Sequence, residues 1–306
     1  MINLKNSDQR TLTLQEMTHS IIPKPSQLYI LGEDLYPFFH SNLLKKYPDY
    51  KHLSPKSELD IAKFIANMAH DSVHCNFVAI LFINGHGNKG LTHFKFPKLR
   101  IESDKITSHI LQLRSGFPDF NCVALVQTCF SGCFGLVQHG CKGVITSTDN
   151  EHASEGNLLA NAFQEVVSSK NTFTLDDVYN SGFYDQDKVF NSFNGTRDIE
   201  DWDNLSETIK LALCFDNSHG YSSWEIPDSL VTKCYPQKFG LTNIILKPMI
   251  SMEHINNVIT ISQTKEKTTQ LTTKILLKTL EEEYNTKYTE EDVFSIMKMW
   301  TLNRGR

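Results

Sequence analysis

The chain alternates between short apolar runs and longer segments in which apolar residues recur every three or four positions. "QLYILGEDL" (27–35) opens the series with strand character, and "SELDIAKFIANMAH" (57–70) follows with Leu59, Ile61, Ile65 and Met68 at helical spacing. "NFVAILFING" (76–85), "NCVALVQTC" (121–129) and "KGVITSTDN" (142–150) are apolar runs bounded by turn residues, the pattern of strands buried on both faces of a parallel sheet. Helical patterns lie between and after them, in "SDKITSHILQLR" (103–114), the short "SGCFGLVQHG" (131–140) and "EGNLLANAFQEVVSSK" (155–170). Strands alternating with helices predict right-handed crossovers, hence an α/β fold whose mostly parallel sheet is flanked by helices. Ligands in such sheets bind at the carboxyl ends of the strands.

Beyond this region the pattern weakens. Residues 172–202 are rich in Asn, Asp, Gly and Phe and read as long surface loops. "LSETIKLALCF" (205–215) and "LTNIILKPMI" (241–250) are read as a further helix and strand, and the tail carries two helical patterns, the second starting at Thr289-Glu290-Glu291-Asp292. The expected division is an α/β domain over 1–245 and a helical C-terminal extension over 246–306.

Composition narrows the function classes. Thirty Lys plus Arg against 35 Asp plus Glu leave a net charge of -5, so no broad basic face for nucleic acid is expected. No apolar run approaches the roughly 18 residues that span a bilayer, and the first 20 residues are polar without a signal-peptide core. The seven cysteines have no framework spacing, which fits a reducing compartment; the reading is a cytoplasmic protein without a membrane partner.

Two motifs carry chemistry. "INGHGNKG" (83–90) has the G-x-G-x-x-G spacing of a dinucleotide fingerprint, which works only where a helix starts inside it. The following "LTHFKFPKLRIESD" contains Pro97 and no helical period, so an extended segment or hairpin is expected and the fingerprint's condition fails. The glycines instead free the backbone around His86 at a strand end, where the Gly87 N–H can serve as an oxyanion donor. In "VALVQTCFSGCFG" (123–135) Cys129 likewise sits where an apolar strand breaks into small residues. A thiol attacks as thiolate, a form favoured beside an imidazolium or a helix N-terminus; His86 and a helix near Ser131 are candidates for both.

"FINGHG", followed 43 positions later by Cys129 in "VQTCFSG", resembles the cysteine peptidases of the caspase, metacaspase and legumain clan. There one strand ends in His-Gly and the next in the nucleophilic Cys. The resemblance covers roughly residues 27–170 and implies a caspase-like three-layer sandwich. It implies a cysteine endopeptidase acting on polypeptides through an acyl-enzyme on Cys129, with His86 as general acid/base and the N–H groups of Gly87 and Cys129 as oxyanion hole. It also implies neither metal nor organic cofactor. Thr128 before the Cys and Ser131-Gly132 after it are closer to metacaspases and legumain than to caspases. Gln127 stands where metacaspases carry Asp and legumain Glu, so Gln127 is expected to face substrate without favouring a basic residue. Asp149, Glu151 and Glu155 are close enough in sequence to supply a carboxylate, and Asp149 is the one expected at the substrate.

Other readings stay open. A peptidase-like module that recognises proteins without cutting them, and a transpeptidase using the same dyad, fit the same motifs. Cys129, Cys133, His139 and Cys141 cluster as a zinc site would, but His139-x-Cys141 is too tight a second pair. His219-Gly220 is a second His-Gly with no long strand before it, and Trp224 in its loop is a candidate groove wall.

Overall fold

The computed structural model describes residues 23–33, 42–88, 91, 93–150, 154, 158–181, 236–249, 256–262, 272–284 and 288–304. The described residues form a sheet of seven strands. Along it, β10 (Leu246–Pro248), β1 (Lys24–Gly32), β3 (Val78–Asn84), β7 (Cys122–Gln127), β8 (Gly143–Thr146) and β9 (Gln237–Gly240) are successive neighbours, and β2 (Lys51–Leu53) pairs with the second half of the β1 edge. All pairings are parallel except β8 with β9. Every residue of β3 and β7 is buried, because helices cover both faces of the sheet as the unbroken apolar runs require.

On one face, α2 (Glu58–Cys75), α3 (Ser103–Gly116) and the short α4 (Gly132–Leu136) pack on Tyr29, Leu31, Leu81, Ile83, Ala124 and Val126. On the other, α1 (Asn42–Lys46), α5 (Leu158–Ser169) and α6 (Leu175–Tyr179) cover Leu28, Ile30, Ile80, Phe82, Val123 and Leu125. Alternate residues of the same strands thus feed two cores, which makes the chain the expected three-layer α/β sandwich. At the centre of the second core Phe163 lies 6.3 Å from the Tyr47 ring, 6.3 Å from Phe82 and 5.8 Å from Phe173.

Local signals explain the element ends. Ser57 caps α2 by accepting from the Asp60 N–H, and Asn76 closes it in the left-handed region at φ 52°. The buried stripe of α2 is Ile61, Ile65, Met68, Ala69, Ser72 and Cys75; Leu59, counted in the sequence pattern, is 60% exposed one face away. "LTHFKFPKLRIESD" makes no helix after the glycines. Its residues form β5 (His93–Phe96) and β6 (Leu99–Glu102), a hairpin turning at Pro97 and Lys98 with β4 (His86–Gly87) antiparallel to β5.

The loop expected from 172 begins instead with α6, whose Thr174 and Asp177 form a reciprocal capping box. A four-residue polar-plus-apolar signal of that kind is easily lost inside an Asn- and Asp-rich stretch. Residues 182–202, the 205–215 segment, His219 and Trp224 lie outside the described residues. Leu246–Pro248, just past the expected boundary at 245, form an edge strand of the sheet. After it come a helical stretch over 256–262, α7 (Thr273–Tyr284) and α8 (Glu290–Arg304), which share a small core of Val258, Ile259, Leu276, Leu280 and Val293. No described helix is long and apolar enough to cross a membrane.

Candidate active site

Strand register builds the site. Asn84 pairs with Gln127, the last residues of β3 and β7, and Gly32 at the end of β1 pairs with Asn84 from the other side. Three parallel strands therefore end abreast. His86 lies two residues beyond Asn84 and Cys129 two beyond Gln127, on the carboxyl rim where such sheets bind ligands. The Gly85 N–H donates to the Gln127 carbonyl at 3.4 Å, tying the two exits together.

Close approach then demands glycine at two positions. A Cβ on Gly87 would stand 2.3 Å from the Cys129 carbonyl oxygen and 2.6 Å from Leu91 Cδ1, so the residue after His86 lies directly on the Cys129 backbone. A Cβ on Gly32 would stand 1.8 Å from the Asn84 carbonyl oxygen, and Gly32 adopts φ +117°. No larger residue allows β1 to end against β3 in this way.

Cys129 is half-buried and its thiol donates to the Ser154 carbonyl at 3.7 Å. The next residue, Phe130, holds φ 58° in the left-handed region with a side chain that is 0% exposed. A bulky residue in that conformation is strained and persists because the core around Phe130 fixes it, which turns the chain sharply at Cys129. The following helix, α4, has five residues from Gly132. Its Ser131 does not cap it: the hydroxyl lies 3.2 Å from Ser147 Oγ and accepts from the Thr148 N–H at 3.1 Å, anchoring the turn to the end of β8.

His86 is paired. Its Nε2 lies 3.4 Å from Glu33 Oε1, with side chains 22% and 39% exposed. Glu33 is the first residue after β1; its N–H donates to the Asn84 carbonyl at 3.0 Å, and the Asn84 amide reaches back to the Glu33 carbonyl at 3.5 Å. Sequence reasoning missed Glu33. The strand ending in "LGED" was visible, but only the order β1-β3-β7 puts its exit beside that of His86.

Gln127, expected to face substrate, is placed below the rim. It is 2% exposed, donates from Nε2 to Asn84 Oδ1 at 3.1 Å and accepts at Oε1 from the Ala160 N–H at 2.8 Å, in the first turn of α5. Gln127 braces two strands and a helix from below the rim. Asp149 is partly exposed, and its carbonyl accepts from the Gly132 N–H at 3.1 Å. Burial, and then the Asp149 carboxylate, push the nearby Cys133 thiol above its usual range. Cys141 turns away from this cluster toward Cys122, with the sulfurs 3.9 Å apart. His139 Nδ1 accepts from the Cys141 N–H at 3.0 Å, and the ring stacks on Phe134. Glu151 and Glu155 lie outside the described residues.

The fold and rim define an α/β protein with a Cys, a His and a Glu at the ends of three neighbouring parallel strands. No family model matches the chain, and no curated protein matches it in sequence. Among solved structures it is similar to caspase-1 from Spodoptera frugiperda, at 15% identity over 73% of this chain and 89% of that one, with a TM-score of 0.39.

Proposed function

We propose that this protein is a cysteine endopeptidase with Cys129 as nucleophile and His86 as general acid/base. The observation that carries the reading is the pairing of Asn84 with Gln127, which places the exits of His86 and Cys129 side by side. The close packing of Gly87 on the Cys129 carbonyl supports it.

In the proposed cycle His86 takes the Cys129 proton and the thiolate attacks the scissile carbonyl carbon. The resulting oxyanion is held by the N–H groups of Gly87 and Cys129, donors whose counterparts in other proteases each contribute about 3–4 kcal/mol. Collapse breaks the C–N bond, and the imidazolium gives its proton to the leaving amine. Water, deprotonated by His86, then attacks the thioester; the acid leaves and the thiol regains its proton. Asp149, partly exposed in the loop that follows β8, is the carboxylate proposed to face substrate.

The test is mass spectrometry of a diverse peptide library after incubation with the full chain, beside Cys129→Ala and His86→Ala. Cleavage lost in both variants is the expected result, and the new termini report the residue preference. Cleavage that survives in Cys129→Ala overturns the assignment.

A further inference from the structure

We propose that Glu33 is a positioning residue for His86, holding the imidazole at Nε2 so that Nδ1 is the nitrogen that exchanges the proton with Cys129. This rests on the peptidase reading above and adds a third group to the expected pair. Three independent features place the carboxylate. Its Oε1 is 3.4 Å from His86 Nε2. Its backbone N–H and carbonyl are both held by Asn84, whose own amide is held by Gln127, which in turn receives the first turn of α5. And Gly32, where any Cβ would collide with the Asn84 carbonyl, is what brings β1 close enough for the next residue to reach the histidine.

The chemistry of a neutral imidazole explains why this matters. One ring nitrogen carries the proton and the other accepts, and the tautomer is set by the partner of the protonated nitrogen. A carboxylate at Nε2 accepts the Nε2–H and leaves Nδ1 as the basic nitrogen. When Nδ1 takes the thiol proton, the same carboxylate faces the imidazolium. Glu33 is more than a third exposed, so the pair adds little to folding stability and its contribution is to orientation.

The experiment uses the full chain with Glu33→Ala, Glu33→Gln and His86→Ala. Two readouts are taken: the rate of Cys129 alkylation by iodoacetamide, resolved at the peptide level, and kcat and KM on a peptide cut in the library assay. Glu33→Ala is expected to slow alkylation and lower kcat on the order of 10–100-fold, part of what a general base contributes, with KM within about twofold. Glu33→Gln, which keeps an acceptor of the same reach, recovers part of the loss. Wild-type rates in Glu33→Ala, or a change confined to KM, overturn the proposal while leaving the Cys129 and His86 assignments standing. Alkylation that depends on both His86 and Glu33 in a chain that cuts no peptide supports the Glu33 assignment and overturns the peptidase reading.

Discussion

Gln127 separates two accounts of the rim, and Gln127→Met is the perturbation that decides between them. Methionine keeps most of the side-chain volume and removes both polar contacts, the 3.1 Å bond to Asn84 and the 2.8 Å bond from the Ala160 N–H. Both partners then sit in an interior where Gln127 itself is 2% exposed. Each buried group left unpaired costs about 1–3 kcal/mol, and the better burial of an apolar chain returns part of it, so a net loss of roughly 2–4 kcal/mol is expected. That is a large share of the roughly 5–15 kcal/mol that holds an ordinary domain together. Urea unfolding followed by far-ultraviolet circular dichroism reads it directly. Asn84→Leu should lose a comparable amount, and the double variant less than the sum, since the two share a bond. Stability within about 0.5 kcal/mol of wild type, together with a raised KM, would refute the brace and restore Gln127 to the substrate pocket.

Four further outcomes are expected. Gly87→Ala forces the Cys129 backbone away from a Cβ otherwise 2.3 Å from its carbonyl oxygen; cleavage and Cys129 alkylation should fall on the order of 100-fold with the circular dichroism spectrum unchanged. Phe130→Gly relieves a strained φ worth about 1 kcal/mol but empties a site that is 0% exposed, at about 3–5 kcal/mol, so unfolding measurements should show a net loss of roughly 2–4 kcal/mol. Asp292→Ala leaves Lys247, 13% exposed, without the carboxylate that joins α8 to β10, and also unties the Thr289 cap; limited proteolysis should release the C-terminal helices at protease levels the wild type resists. Asp177 is held below the usual carboxylate range: burial opposes this, but the Lys170 ammonium and the Thr174 N–H outweigh it. Its contribution is therefore complete above the ordinary value near 4 and disappears as pH falls through the lower folded value, so the stabilities of wild type and Asp177→Asn should converge in acid urea titrations.

What the sequence made legible follows from what periodicity encodes. The runs at 76–85 and 121–129 read as buried strands because both their faces are covered, and β3 and β7 are buried at every position. The hairpin after the glycines was legible because Pro97 forbids the alternative. Helix α6 was not, since its five residues are specified by a cap between Thr174 and Asp177 and not by an apolar period. At the rim, His86, Gly87 and Cys129 could be named because each ends an apolar run. Glu33 could not: 53 positions separate it from His86, and they meet through strand order, which a local pattern does not record. The bonds of Gln127 to Asn84 and Ala160 were not legible, because a residue's place before a cysteine says nothing of which partner its amide meets across the sheet.

That partner also explains how the strands come to end abreast. Asn84 and Gln127 are polar residues closing two otherwise apolar strands, and burying such amides is unfavourable unless they meet. They meet only in the register that pairs residue 84 with residue 127. A slip of one residue would separate them and turn every side chain of β3 to the other face, so the buried pair penalises each wrong register twice. The same register sets how far the chain has run when it leaves each strand. His86 and Cys129 each stand two residues beyond the pair, and Glu33 follows Gly32, the β1 residue paired with Asn84. The buried amide pair thus does the positioning, and the residues above it on the rim carry the proposed chemistry; for this reason a conservative change below the rim, such as Gln127→Met, should disturb Cys129 alkylation even though residue 127 is itself 2% exposed.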